Sequence, residues 1–115
     1  MPASTVLVIP AYCESGRVGD VVRAVHRQIT LGQIPAIDIL VVDDGSPDST
    51  AMEAAAAGAR VVRHPFNLGY GSALHSGYCV AKRTGYQRVL QMDADGQHDP
   101  AMLGRLIQAL DEGAD

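Results

Sequence analysis

The stretch TVLVIPAYCE, residues 5–14, is a run of apolar residues that ends at a proline and passes into a polar turn. Proline has no amide hydrogen for a sheet hydrogen bond, so Pro10 marks the point where a strand ends. A continuous apolar run is typical of a parallel strand that is buried on both faces. The stretch therefore predicts a buried strand whose carboxyl end opens into a turn that carries Tyr12, Cys13 and Glu14.

Outward from this strand, apolar runs alternate with segments of helical spacing. Further strands are predicted at 37–42, 60–63 and 87–92. Helices are predicted from 18 to about 31, from a cap at Ser46 or Asp48 to about 57, up to about 84, and from a cap at Asp99 and Pro100 onward. This alternation predicts an α/β fold with a doubly wound, mostly parallel sheet and helices on both faces. Because the third strand is short and charged at its ends, it belongs at an edge, and the predicted strand order is 3-2-1-4.

The third of the four predicted helices, which ends near residue 84, has a predicted inner face of small and apolar residues. Its members recur at helical spacing and are Ala73, Leu74, Gly77, Tyr78 and Ala81. Such a face is expected to pack against the sheet.

Length and composition limit the classes of protein that this chain can represent. The 115 residues suffice for one domain, 1–115, and its core must be aliphatic because there is one Phe and no Trp. A net charge of −4 without a run of Lys or Arg argues against nucleic acid as a partner. Cys13 and Cys79 lack the spacing of a zinc or redox pair, and no signal peptide or membrane-spanning run is found, so we expect a cytoplasmic protein.

Acidic turns follow three of the predicted strands. Asp93 and Asp95 follow the fourth strand, Asp43 follows the second, and the turn after the first strand ends at Glu14. In the order 3-2-1-4 the first and fourth strands are neighbours at the topological switch point, where open α/β sheets bind ligands. Asp93 and Asp95, two carboxylates one residue apart, suit Mg²⁺ or Mn²⁺ shared with substrate phosphates. An ordinary polar turn remains an alternative for each acidic segment taken singly.

Individual residues in these turns have competing interpretations. Asp43, directly at the strand end, can accept a hydrogen bond from a base or a ribose hydroxyl, whereas Asp44 and Ser46 can serve as helix caps. Tyr12 can stack on a flat base or belong to the core. The glycines at 69 and 71 do not follow the dinucleotide-binding pattern, because they come after the third strand.

The histidines are weaker candidates. His98 follows the acidic turn and is a candidate for contacting phosphate or metal. His64 and His75 have no metal-spaced partner, and no Ser-His-Asp arrangement can be argued from the spacing.

Four segments, in this order and spacing, resemble the amino-terminal half of family 2 glycosyltransferases of the GT-A fold. They are PAYCE at 10–14, DDGSPD at 43–48, NLGYGSA at 67–73 and MDADGQH at 92–98. The branch that they resemble comprises the polyprenyl-phosphate (dolichol-phosphate type) mannosyl- and glucosyltransferases. The resemblance implies the Rossmann-like nucleotide-binding half of such a domain, with the half that carries the general base and the acceptor groove missing from this chain.

The resemblance also implies a metal-dependent, inverting transfer from a GDP- or UDP-sugar to an acceptor such as a polyprenyl phosphate, at the cytoplasmic face of a membrane. The residues that would bind the nucleoside are Pro10, Tyr12, Glu14 and Asp43. Those that would meet the ribose and diphosphate are Asp93 and Ala94. Asp95, with Gln97 as a second ligand, would bind Mg²⁺ or Mn²⁺. Cys13 stands where the family usually has Asn, and no residue present matches the catalytic base.

Two other functions are compatible with the same residues. One is a non-catalytic nucleotide-binding module, or a fragment that is inactive alone. The other is a nucleotidyltransferase or a flavodoxin-like domain with an acidic rim.

Overall fold

The computed structural model describes residues 4–95 and 100–113. The elements in chain order are β1 (Thr5–Ala11), α1 (Val18–Thr30), β2 (Asp38–Asp43), α2 (Thr50–Ala56), β3 (Arg60–Arg63), α3 (Tyr70–Thr84), β4 (Arg88–Gln91) and α4 (Pro100–Asp111). The four strands are parallel and lie in the order β3-β2-β1-β4. The predicted fold class and strand order are therefore confirmed.

Strand β1 lies in the middle of the sheet and is buried along its whole length. It pairs with β2 from Val6 to Ala11 and with β4 from Thr5 to Val8. Successive side chains of a strand point to opposite faces, so a strand with a helix layer on each side must be apolar at every position. This requirement explains the unbroken apolar run from which the fold was predicted.

The helices cover the two faces of the sheet unequally. Leu7 and Ile9 of β1 pack in a cluster with residues of α1, α2 and α4, whereas Val6 and Val8 pack with Ala73 and Ala81 of α3. Right-handed crossovers account for this division. The chain moves outward from β1 to β3 and then returns across the sheet to β4, so α3 must lie on the other face.

Helix α3 lies close to the sheet because it presents small residues to it. A Cβ atom on Gly77 would lie 2.5 Å from Cγ1 of Val8, which is closer than van der Waals contact. Ala73, Gly77 and Ala81 are buried as predicted, but the prediction that Tyr78 lies on this inner face is wrong. Tyr78 is exposed because its position on α3 lies beside the buried stripe of Ala73, Gly77 and Ala81. Its hydroxyl donates a hydrogen bond to Oε1 of Gln91.

The start of α2 also differs from the prediction. The helix begins at Thr50, and Ser46 does not cap it, because Ser46 Oγ accepts a hydrogen bond from the Cys13 amide instead. Asp48 Oδ1 accepts from the amide of Thr50 at 3.1 Å, so Asp48 does serve the first turn of the helix. The predicted cap at Asp99 lies outside the described residues. Within residues 4–95 and 100–113, no helix has the length and apolar character needed to cross a bilayer.

Candidate functional site

A cleft of about 470 Å³ lies at the carboxyl edge of the sheet, where β4 ends opposite Val8 of the neighbouring β1. Its wall is built from the turn after β1, the residue after β2, the start of α3 and the turn after β4. The lining residues are Pro10, Ala11, Tyr12, Glu14, Asp44, Asn67, Gly69, Tyr70, Ala73, Asp93, Ala94 and Asp95. The predicted convergence of the acidic turns on one edge of the sheet is thus observed.

Six residues predicted to contact the nucleotide lie together in this wall. They are Pro10, Tyr12, Glu14, Asp93, Ala94 and Asp95. The seventh, Asp43, does not line the cleft. Gln97, the predicted second metal ligand, and His98 lie outside the described residues.

The turn after β1 adopts a left-handed conformation that is held by two buried side chains. Cys13 has φ +54°, an uncommon value for a residue other than glycine. Its amide donates to Ser46 Oγ at 2.8 Å, and the next amide, that of Glu14, donates to Thr50 Oγ1 at 2.9 Å. Both hydroxyl-bearing residues are fully buried. These bonds fix the backbone between Tyr12 and Glu14.

The two side chains on either side of Cys13 face the cleft differently. Tyr12 is 46% exposed, so one side of its ring is open to a ligand, as stacking on a base requires. A hydrogen bond with Cys13 is the main factor that raises the pKa of the Tyr12 hydroxyl. The Glu14 carboxylate accepts a hydrogen bond from Nε of Arg17 at 2.7 Å. One of its oxygens is therefore already hydrogen-bonded within the protein.

Asp43 is turned into the protein, which differs from its predicted contact with a nucleoside. Its side chain is fully buried, Oδ1 accepts from the Ser46 amide at 3.1 Å, and Oδ2 lies 3.5 Å from Nε of Arg63. Adjacent residues at a strand end point in opposite directions, so only one of two consecutive aspartates can face the cleft. That residue is Asp44.

Asp44 is almost completely buried and accepts three hydrogen bonds. Oδ1 lies 2.7 Å from Nδ1 of His64 and 2.9 Å from the Leu68 amide, and Oδ2 lies 2.8 Å from the Gly69 amide. Burial raises the pKa of this carboxyl, but the bonds from His64, Leu68 and Gly69 lower it by more, so its pKa lies below the ordinary value. Asp44 is thus a carboxylate at neutral pH that secures the loop before α3, and the alternative of a helix cap is wrong.

On the opposite wall, the turn after β4 carries Asp93, Ala94 and Asp95. The amide of Met92 still bonds to the carbonyl of Val8, and the chain then leaves the sheet. The Tyr70 hydroxyl donates to Oδ1 of Asp93 at 3.1 Å, which links the start of α3 to this turn. Burial, followed by this contact with Asp93, raises the pKa of the Tyr70 hydroxyl.

The carboxylates of this turn have the composition of a partial Mg²⁺ or Mn²⁺ site. Among the residues that the structure describes, no group of three or more His, Cys, Asp or Glu side chains is arranged to hold a metal ion. Mg²⁺ is commonly held by one or two protein carboxylates, with phosphate oxygens and water completing its shell. Asp93 and Asp95, which line one cleft, fit that kind of shared site.

Three buried polar residues of the site were not assigned their contacts from the sequence. Ser46 and Thr50 bond to amides 33 and 36 positions earlier, and His64 bonds to Asp44 20 positions earlier. No local pattern marks such partners, because the fold alone brings them together.

The sequence of the chain is similar to that of a known protein family and of named proteins. The model of Glycosyl transferase family 2 matches residues 6–115. Polyprenol monophosphomannose synthase from Mycolicibacterium smegmatis is 40% identical over 117 residues, which cover 96% of this chain and 42% of the synthase. Undecaprenyl-phosphate mannosyltransferase from Micrococcus luteus is 37% identical over 91 residues, which cover 71% of this chain and 37% of the transferase. The chain thus spans about two fifths of the length of these relatives.

Solved structures share the fold. Glucosyl-3-phosphoglycerate synthase from Mycobacterium tuberculosis, crystallised with Mn²⁺, uridine-diphosphate-glucose and phosphoglyceric acid, superposes with a TM-score of 0.72 at 28% identity. The superposition covers 95% of this chain and 39% of the synthase. A crystal structure of the same synthase contains Mg²⁺ and uridine-diphosphate.

Proposed function

Because the chain belongs to glycosyl transferase family 2, as its four motifs predict, we propose that its cleft binds the nucleotide-sugar donor of a glycosyl transfer. The observation that carries the proposal is the meeting of an exposed aromatic ring, a buried carboxylate and two acidic residues in one cleft at the switch point of the sheet. Each of these groups suits a different part of a nucleoside diphosphate.

The nucleoside end of the donor is assigned to Tyr12 and Asp44. The ring of Tyr12 is open on one side for stacking. A carboxylate offers about four acceptor sites, and protein donors fill three of those of Asp44, two at Oδ1 and one at Oδ2. Oδ2 can therefore accept one further hydrogen bond from a base N–H or a ribose hydroxyl. Asp44 thus takes the role that the sequence predicted for Asp43.

The diphosphate end is assigned to the turn after β4. A carboxylate and a phosphate charge about 5 Å apart repel by about 3 kcal/mol at an effective dielectric constant near 20, so Asp93 and Asp95 alone disfavour this ligand. A divalent cation between them reverses the sign of the interaction. Asp95, with Asp93 beside it, would hold the ion, and Gln97 stays a predicted second ligand. When bound, Mg²⁺ or Mn²⁺ supplies a Lewis acid that neutralises charge on the departing nucleoside diphosphate.

The proposal also covers the acceptor and the stereochemistry. An acceptor oxygen would attack the anomeric carbon on the face opposite the departing diphosphate and invert its configuration, as the resemblance of the four motifs implies. The names of the mannosyltransferase relatives support a polyprenyl phosphate as that acceptor. The names of the relatives do not distinguish a GDP-sugar from a UDP-sugar, and both belong to the proposal.

Isothermal titration calorimetry with GDP and with UDP, each with and without MnCl₂, tests the proposal. At least one nucleotide should bind the chain, and Mn²⁺ should strengthen the binding. Asp95→Asn should weaken the Mn²⁺-dependent part by tenfold or more, since the ion loses a charged ligand. Asp20→Asn is the matched control, because Asp20 is an exposed residue on α1. Binding that neither Mn²⁺ nor Asp95→Asn alters would contradict the proposal.

A further inference from the structure

Asp44, His64 and Ser76 form a hydrogen-bonded chain that leads from the cleft into the protein. Nδ1 of His64 lies 2.7 Å from Oδ1 of Asp44, and Nε2 lies 2.7 Å from Oγ of Ser76. His64 is buried, at 7% exposure. Asp44 is ionised and can only accept, so Nδ1 carries the proton, and in the neutral ring Nε2 accepts from the Ser76 hydroxyl.

The order of these residues is that of a nucleophilic triad, but their placement in the fold is different. In a triad the serine faces the substrate and the aspartate lies behind the histidine. Here the aspartate lines the cleft, and Ser76, in the middle of α3, is absent from its wall. This series of hydrogen bonds therefore orients the aspartate that faces the cleft, and the histidine and the serine support it from behind.

Asp44 in turn holds the loop that forms one wall of the cleft. Its two oxygens accept from the consecutive amides of Leu68 and Gly69, and the adjoining Asn67, Gly69 and Tyr70 line the cleft. The backbone of this loop packs against the turn after β2, since a Cβ on Gly45 would lie 2.3 Å from the carbonyl carbon of Phe66. A change in the orientation of the Asp44 carboxylate would therefore move this wall.

We propose that His64 is a positioning residue for nucleotide binding, which orients the Asp44 carboxylate and the wall at 67–70 through its Nδ1–H. Two donors occupy Oδ1, and this leaves Oδ2 with an acceptor site for the nucleoside. Ser76 fixes the ring from behind, so the proton stays on the nitrogen that faces Asp44. The inference rests on the proposed function, because it concerns how the same cleft binds its nucleotide.

Two substitutions of His64 distinguish a role in positioning Asp44 from a role in packing alone. The amide nitrogen of asparagine can occupy the place of Nδ1, so His64→Asn retains a donor to Asp44 and loses the bond to Ser76. The amide of glutamine reaches the place of Nε2, so His64→Gln retains the contact with Ser76 and loses the donor to Asp44. Each variant loses one hydrogen bond, and glutamine is closer to histidine in size. A role in packing alone would therefore favour glutamine.

The measurements are calorimetric titration with GDP and UDP in the presence of MnCl₂ and hydrogen exchange of the Leu68 and Gly69 amides by NMR. We expect His64→Asn to bind within about threefold of the unaltered chain and His64→Gln to bind about tenfold more weakly or worse, the value of a hydrogen bond to a charged group. Exchange at both amides should accelerate in the glutamine variant only. His75→Asn is the matched control, because His75 is an exposed histidine on α3, the helix that carries Ser76.

The outcomes distinguish this inference from the proposed function. If the unaltered chain binds neither nucleotide, the proposed function fails. If it binds and the two His64 variants lose affinity equally, or glutamine retains more, the positioning role is overturned while the proposed function stands. The asparagine variant also tests the inference when the glutamine variant does not fold. A loss of more than tenfold in a folded His64→Asn chain overturns it.

Discussion

Gly77→Ala tests the packing that brings α3, and with it one wall of the cleft, onto the sheet. The new methyl group would lie 2.5 Å from Cγ1 of Val8 and 3.4 Å from Cγ2 of Val42. Carbon atoms are at optimal separation at about 3.5–4.0 Å, so the first contact is about 1 Å too close. Val8 is fully buried on the central strand, and its branched side chain has one torsion with which to move.

Two opposing terms decide the sign of the effect. Alanine favours a helix over glycine by about 1 kcal/mol, whereas an extra methyl group forced into a packed core costs about 1–3 kcal/mol. With an overlap of this size against a stiff neighbour, the upper part of the second range applies. We therefore expect Gly77→Ala to lower the free energy of unfolding by about 1–2 kcal/mol.

Urea denaturation monitored by circular dichroism measures this change, provided that the slope of the free energy of unfolding against urea concentration stays constant. Gly71→Ala in the same helix is the control, because its Cβ would meet no atom within 4 Å, and it should leave the chain equally stable or more stable. In a Val8→Ala background the cost of Gly77→Ala should fall, since the clashing methyl groups are gone. Equal stability of the Gly77→Ala and Gly71→Ala chains would refute the close approach of α3 to β1.

Two further predictions concern hydroxyl groups that donate hydrogen bonds to aspartates, and urea denaturation measures both. Thr50→Val should lower the free energy of unfolding by about 1–3 kcal/mol, because the Glu14 amide loses its acceptor and Asp48 loses a donor. Thr50→Ser keeps the hydroxyl group and should retain most of the stability. Equal losses in the two variants would contradict these hydrogen bonds. Burial and the bond to Asp38 raise the pKa of Tyr86 to about 12 from 10.0. The contribution of the protonated Tyr86 hydroxyl to the free energy of unfolding is therefore complete below pH 10 and is lost as the pH rises toward 12. In Tyr86→Phe the free energy of unfolding should decline less over that range.

The layout of the sheet could be predicted because each strand carries its own signal. The run at 6–9 is apolar at every position, as a strand covered on both faces requires, and 60–63 has charged ends, as an edge strand allows. The strand order follows from these two facts together with the preference for right-handed crossovers. The hydrophobic pattern is local to each strand and the handedness is general to parallel crossovers, so neither depends on a particular tertiary contact.

The details of the site were less predictable. The choice between Asp43 and Asp44 depends on the residue at which β2 ends, and a shift of one residue exchanges the two directions. The side chains that anchor the turn after β1, Ser46 and Thr50, are more than 30 residues from their partners. Tyr78 was misplaced because the inner stripe of α3 is narrow and consists of small residues. Such features depend on tertiary contacts, which helical or strand spacing does not encode.

The central claim is that a nucleoside diphosphate and its cation bind at the carboxyl edge of the sheet, between the turn after β1 and the turn after β4. The most direct test is the broadening of amide NMR signals by Mn²⁺ added with GDP or UDP. The account predicts that the signals of Tyr12, Gly69 and Ala94 broaden first and most, while those of Thr5 and Arg88, at the amino ends of their strands, broaden least. Broadening that is strongest at the amino ends, or equal throughout the chain, would contradict it.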